Sequence, residues 1–258
     1  MRLVDDPAEL AELFRQDRGS HIYALADLEE PFWSRGRWYR RGDAVVGVIS
    51  LPGSGATVVY ALSTEDPPGT LELLGELAPD LPSGTLITGP LGVADHLAAS
   101  RGVRRFGPHW KMLLADHDRL PMAEPSIARV VELGSEDIER MSDLYGSDPR
   151  AAFFAPAMLE GGPFVGLEGT DGHLLACAGT HVISHRHGVA AIGAVITRPD
   201  LRGRGLGTSV VVAVCRMLQA RVSVVGLNVA ESNLAAMGLY ERIGFARLWR
   251  YEEVEIVD

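Results

Sequence analysis

Between Arg202 and Gly207 the chain reads RGRGLG, three glycines and two arginines in six residues, set between the apolar runs VAAIGAVIT and LGTSVVVAV. Glycines are costly to order and neighbouring arginines repel one another, so the arrangement calls for an anion from outside the chain. Backbone N–H groups at a helix start are unpaired and carry the positive end of the helix dipole; glycine lets a pyrophosphate approach them closely. Arg202 and Arg204 can add charge-assisted hydrogen bonds. The same glycines also suit a tight strand-to-helix turn that needs their φ angles. The spacing, R-x-x-G-x-G at Arg202, Gly205 and Gly207, excludes a Walker loop, since no Gly-Lys-Ser/Thr triplet is present. Glycines at 203, 205 and 207 do not match the dinucleotide fingerprint either.

Further on, NVAESNLAAMGLYERIGF places Asn233 and Tyr240 seven residues apart. That is about two helical turns, which puts both on one face of a helix. Helix capping by Asn233 and half-burial of the Tyr240 ring are the plainer roles for these residue types.

Together VITRPDLRGRGLG and NLAAMGLYERIGF resemble the GNAT superfamily of acyl-CoA-dependent N-acyltransferases, over roughly residues 127 to 256. The branch most similar is the glycine-acyltransferase-like one, in which a divergent domain precedes the catalytic one. The resemblance implies acetyl-CoA, or another acyl-CoA, as co-substrate and no metal. Its pantetheine arm would pair with Val195, Ile196 and Thr197 as an added strand. Arg202, Gly203, Arg204, Gly205, Leu206, Gly207 and Thr208 would hold the pyrophosphate, and Asn233 would contact the cofactor. Tyr240 would lie near the sulfur and protonate the departing thiolate. The acceptor would be a primary amine on a small molecule or peptide. Such a protein transfers an acyl group by direct attack; an acyl-CoA sensor without catalysis, or a nucleotide-binding protein using the loop for another diphosphate, are the rival readings.

The sequence departs from the family at the general base. Many members carry a glutamate on the strand before the loop, and here that strand reads Ala190, Ala191, Ile192, Gly193, Ala194, Val195. A substrate ammonium must still lose a proton, so a water chain or a side chain from elsewhere is required. Glu231 and the histidines of HVISHRHG, His181, His185 and His187, are candidates, although a solvated hairpin tip accounts for the three histidines without a role.

The elements that would position these residues follow from periodicity. The first half reads as helices at PAELAELFRQ and HIYALADLEE, strands at RWYRRG, AVVGVISL and ATVVYALS, a helix at GTLELLGELA, a strand at TLITGP, a helix at VADHLAASRG and a strand near HWKMLLAD. The second half reads as a strand at IARVVEL, a helix at EDIERMSDLYG capped by Ser135, strands at PFVGLEG, HLLACAGTHVIS and VAAIGAVIT, a helix from Arg204 to Ala220, a strand at VSVVGLNV, a helix at NLAAMGLYERI and a last strand at ARLWRYEEVEI. The proline-containing loop HDRLPMAEPS is the natural boundary. The halves echo one another in element order, so the expected architecture is α/β (α+β): two GNAT-like domains in tandem, each a mostly antiparallel mixed sheet with helices on both faces. Residues 1–120 are expected to form a degenerate N-terminal domain and 125–258 the catalytic one. Where the echo would put the phosphate loop, the first half has STEDPPGTL, whose acids repel phosphate and whose prolines remove N–H donors.

At 258 residues, 47% hydrophobic and 22% charged, the composition is that of a globular protein with no apolar run of membrane-spanning length. The net charge of −10 divides evenly, with 12 basic and 17 acidic residues before and after position 120. Neither half reads as a nucleic-acid or membrane binder, and the run RWYRRG reads as an exposed strand face. The acidic, amphipathic start MRLVDDPAELAELF is unlike a secretory signal, which makes the cytoplasm the expected location. Cys177 and Cys215, without metal-ligand spacing around them, are expected to be buried thiols.

Overall fold

The run RWYRRGDAVVGVIS folds back on itself at Gly42, whose φ of +59° lies in the left-handed region that glycine adopts at little cost. Trp38 of one arm faces Gly47 of the other, and a Cβ at 47 would lie 2.6 Å from the indole ring, so the pair is matched in size. Such local choices build the computed structural model of the chain, which describes residues 1–52, 55–62, 66–121, 128–148 and 154–258. The greater part of the expected domain junction, and Glu65 of STEDPPGTL, lie outside the described residues.

In chain order the first elements are β1 (Arg2–Val4), α1 (Pro7–Phe14), α2 (Ile22–Asp27), β2 (Gly36–Arg41), β3 (Ala44–Ser50), β4 (Thr57–Tyr60), α3 (Pro67–Leu77), β5 (Leu86–Gly89), α4 (Val93–Ala98) and β6 (Val103–Leu114). The rest are β7 (Arg129–Leu133), α5 (Ile138–Gly146), β8 (Phe164–Glu168), β9 (Leu174–Ser184), β10 (Val189–Thr197), α6 (Leu206–Gln219), β11 (Val224–Ala230), α7 (Leu234–Arg242) and β12 (Phe245–Ile256). The chain forms two units: Met1–Lys111 with Val229–Asn233 and Leu248–Asp258, and Met112–Asn228 with Leu234–Arg247.

In the first unit the strand order is β1-β2-β3-β4-β5-β12-β6. β4 and β5 run parallel, whereas β1–β2, β2–β3, β3–β4 and β5–β12 are antiparallel. Its core joins Val46, Val59, Ile87 and Val254 of the sheet to Leu73, Leu74 and Leu77 of α3 and Leu97 of α4. Helix α3 starts at Asp66, whose carboxylate accepts from the Gly69 N–H at 2.9 Å, with Pro67 and Pro68 in the first turn. The helix start is thereby satisfied from within the chain.

In the second unit the order is β11-β10-β9-β8-β7, antiparallel except for the parallel pair β10–β11. Ile196 and Cys177 pack with Met141 and Leu144 of α5. The next residue, Thr197, instead meets the start of α6, where a Cβ at Gly207 would be 3.1 Å from its Oγ1. Successive strand residues face opposite sides, so α5 and α6 cover the two faces of this sheet. The chain is thus a mixed α/β protein with mostly antiparallel sheets, as its sequence leads one to expect. Among the described residues no helix is long and apolar enough to cross a membrane.

Candidate active site

Strand β10 carries an irregularity that comes from its register. Gly193 opposes Gly179 and Ile196 opposes Cys177, so Ala194 and Val195 face the single residue Ala178. This is a β-bulge, a device that re-aims backbone groups. Ala194 has φ +51°, a conformation that costs a non-glycine residue on the order of 1 kcal/mol or more. The Tyr145 hydroxyl of α5 holds it there by donating to the Ala194 carbonyl. In a planar trans peptide the C=O and the following N–H point in opposite directions. The Val195 N–H is therefore directed away from Tyr145. On its other edge β10 pairs with β11 from Val189↔Val224 to Ile192↔Leu227, where the registered pairs end. The strand continues past that point, through Val195, Ile196 and Thr197, and among the described residues this stretch has no registered strand partner on the β11 side.

The loop after β10 places Gly203 and Gly205 at φ +77° and +83°, with nothing within 4 Å of where a Cβ would stand on either. The turn needs their conformation, and the space above them is open. Gly205 is the N-cap of α6 and contributes no side-chain bond. The first helical bond runs from Ser209 N–H to Gly205 O, which leaves the N–H groups of Leu206, Gly207 and Thr208 without helical partners. An anion set here would complete them.

Of the two arginines, Arg204 is exposed, while Arg202 donates to Asp148, whose side chain is only 4% exposed. Nothing in the sequence pattern marks Asp148. Arg198 is tied to Asp200 by bonds of 2.9 and 2.6 Å. Tyr240 is 6% exposed on α7, with its ring 5.8 Å from that of Phe245. Burial first, and the nearby Cys215 thiol second, push its pKa up, so the phenol keeps its proton. Its neighbour Leu239 lies 3.6 Å from a Cβ built on Gly207, which brings α7 to the start of α6 and the end of β10. Asn233, exposed just before α7, donates its N–H to the Ala230 carbonyl at 2.9 Å and is grouped with the first unit.

The candidate bases separate on inspection. Glu231 accepts from the Trp110 indole at 3.0 Å and from Arg250 at 2.6 Å. The three histidines do not share a hairpin tip: His181 lies within β9, His185 is exposed at the turn, and His187 is buried with its N–H on the Ser184 hydroxyl at 2.9 Å. Cys177 and Cys215 are both buried free thiols, pushed up to about 12 by burial.

Residues 132–245 match the profile of the Acetyltransferase (GNAT) family. Among solved structures, a Drosophila protein is 18% identical over 99% of this chain and 98% of its own, with a TM-score of 0.73. A putative acetyltransferase of the GNAT family from Novosphingobium aromaticivorans is 22% identical over 94% of this chain and 100% of its own, with a TM-score of 0.63. A tandem GNAT protein from the clavulanic acid biosynthesis pathway is 16% identical over 98% and 96%, with a TM-score of 0.59. No curated protein matches the sequence. At these identities the structural likenesses establish the GNAT fold, and the family match places an acetyltransferase-type domain on residues 132–245.

Proposed function

We propose that the chain is a cytoplasmic N-acyltransferase in which residues 125–258 move an acyl group, acetyl being the expected one, from an acyl-CoA to a primary amine. Residues 1–120 are, on this reading, a GNAT-like half without a cofactor site, of the tandem, glycine-acyltransferase-like kind. The observation that carries the proposal is the conjunction, within one unit, of a β10 stretch after a bulge, without a registered strand partner on its β11 side among the described residues, and an uncapped, glycine-lined start of α6. A pantetheine amide chain fits the first as an added strand, and a pyrophosphate fits the second.

The chain's own groups then divide the work. Val195 to Thr197 align the thioester arm, and the outward Val195 N–H donates to the acyl oxygen as negative charge develops there. Residues 202 to 208 hold the diphosphate, with Arg202 braced by Asp148. Asn233 contacts the cofactor. Tyr240 gives its proton to the sulfur as the C–S bond breaks. The amine acceptor, a small molecule or a peptide, meets no nucleic-acid-binding or membrane-binding surface in this account.

A calorimetric titration with acetyl-CoA, paired with thiol release across a panel of amines, tests the proposal. One site per chain and amine-dependent thiol release are expected. The absence of a carboxylate on β10 favours the alternative of an acyl-CoA sensor, for which binding would occur and amine-dependent release would not.

A further inference from the structure

Lys111 of β6 is the only lysine of the chain; the other basic residues counted with it, 24 in all, are arginines. It is also buried. Taking an ammonium out of water is costly unless a counter-ion or hydrogen-bond acceptors replace the hydration it loses. What Lys111 meets inside the first unit is two aromatic faces, with its Nζ 5.1 Å from the centre of the Tyr23 ring and 5.5 Å from that of Tyr251. Cation–π attraction offsets part of the cost and leaves three N–H donors to be satisfied. The nearby carboxylates are engaged elsewhere. Asp17 and Glu253 act on the ammonium only at a distance. Asp17 accepts from the Ser20 N–H at 3.2 Å and the Ser20 hydroxyl at 2.5 Å. Glu253 accepts from the Tyr251 hydroxyl at 2.9 Å, and its other oxygen lies 3.5 Å from His109 Nε2. Among the described residues the ammonium has neither an ion-pair nor a hydrogen-bond partner.

Lys111 lines a partly open cavity of about 290 Å³, mouth included, whose apolar wall is formed by Phe14, Trp38, Val45 and Leu62. Its inner end admits about one water-sized group. His21 is the second polar group in the lining, with its ring stacked on that of Phe14 at 4.7 Å. Burial first, and the Lys111 charge second, lower the His21 pKa to about 4, so the imidazole is neutral and has one ring N–H to donate. The surroundings are rich in donors and poor in acceptors: the Trp38 indole N–H, too, is buried without a hydrogen-bond partner among the described residues. Desolvation lowers the Lys111 pKa to about 8, which leaves the amine mostly charged at pH 7. The cavity therefore offers one positive charge and a second donor between apolar walls. A metal cation is repelled there, and a dianion such as phosphate would turn unpaired oxygens towards Phe14 and Val45. A group with one negative charge and two acceptor oxygens matches it.

We propose that this cavity of the first unit binds the carboxylate end of a short-chain monocarboxylic acid, with the Lys111 ammonium on one oxygen and the His21 ring N–H on the other. The width of the inner end sets the order of entry, carboxylate first, with a short apolar remainder towards the mouth. The site also accounts for a lysine where the rest of the chain uses arginine: a compact ammonium fits between two ring faces, and a planar guanidinium fork is wider. It is built from the first unit alone and does not depend on the acyl-transfer reading.

A single lysine makes the test direct. Full-length protein labelled with ¹³C at the lysine ε-carbon gives one side-chain signal, that of Lys111, whose shift against pH follows the titration of the ammonium. Without added anion the midpoint is expected at about 8. Sodium acetate at about ten times its dissociation constant should raise the midpoint by about one pH unit, because only the protonated amine holds the anion. Affinity is thus full below the free midpoint and falls as pH rises through it. Sodium chloride at the same concentration should leave the midpoint in place. Of the other groups around the cavity, His21 stays neutral over this range, and Tyr60 and Tyr251, raised well above the ordinary phenol value, stay protonated. Asp27, bonded to Tyr60, ionises at about 7, so Asp27→Asn removes that second titration and should keep the acetate effect. His21→Phe keeps the ring, removes its N–H and should weaken acetate by about three- to tenfold. Saturating coenzyme A should not change the acetate effect. A midpoint unmoved by acetate, an equal response to chloride, unchanged acetate affinity in His21→Phe, or an effect abolished by coenzyme A would each overturn the assignment.

Discussion

On the proposed reading, Tyr240 supplies the acid half of the chemistry. It is nearly fully buried against Phe245, and its raised pKa keeps the proton on the phenol. Phenylalanine retains the ring and removes the donor, so Tyr240→Phe should lower kcat about 10²- to 10⁴-fold with little change in the KM for acetyl-CoA. Were the residue core alone, the variant would melt at a lower temperature with kcat intact, and kinetics beside a thermal melt separate the two. The residues legible in the sequence are those whose partners are close along the chain. The glycines of RGRGLG and the pair Asn233 and Tyr240 announce themselves by spacing. Tyr145 and Asp148 do not, because each acquires its meaning from a residue more than ten positions away: Ala194 and Arg202.

Helix α6 and helix α3 begin in contrasting ways. The start of α3 is closed by Asp66 and two prolines, and that of α6 is left open by Gly205. A carboxylate introduced in the first turn of α6 should therefore favour the helix and oppose an anion. Thr208→Glu is expected to hold or raise stability, by about 0.3–1 kcal/mol at low salt, while weakening acetyl-CoA binding at least tenfold by calorimetry. Unchanged affinity in a folded variant would remove the loop from the cofactor site. Most elements are visible in the sequence because apolar periodicity survives in each, as in VAAIGAVIT and LGTSVVVAVCRMLQ. Cap and register details are less visible. Ser135 opens a short 3-10 turn, and it is Asp137 that reaches back, accepting from the Gly134 N–H at 3.1 Å, before α5 begins at Ile138. The bulge of β10 leaves no mark on the hydrophobic pattern, yet it sets where Val195 points.

The molecule as a whole carries a net charge of −10, and one of its acids sits where ionisation is costly. Asp27, buried on α2, has its pKa raised to about 7 by desolvation, against which a hydrogen bond with Tyr60 acts. The native chain thus retains a proton that the unfolded chain loses from about pH 4 upward, and stability falls as pH rises through the window from about 4 to about 7. Asp27→Asn has no such ionisation. Its stability relative to wild type should grow across that window by on the order of 2–4 kcal/mol, readable from denaturant melts at pH 4 and pH 8. Equal gaps at both pH values would show that Asp27 titrates alike in the folded and unfolded states. The division of the chain is the feature least available from sequence: the compact units group Val229–Asn233 and Leu248–Asp258 with the N-terminal residues, through strand pairings such as Glu252↔Gly89 that join positions more than 150 apart. Acyl transfer to an amine is the central claim for the whole molecule. Purified full-length protein, given acetyl-CoA and a panel of primary amines, should release thiol only when an amine is present, with one acylated amine formed for each thiol by mass spectrometry. Thiol release that ignores the amine, or acetyl-CoA that binds and is returned intact from every amine offered, would contradict it.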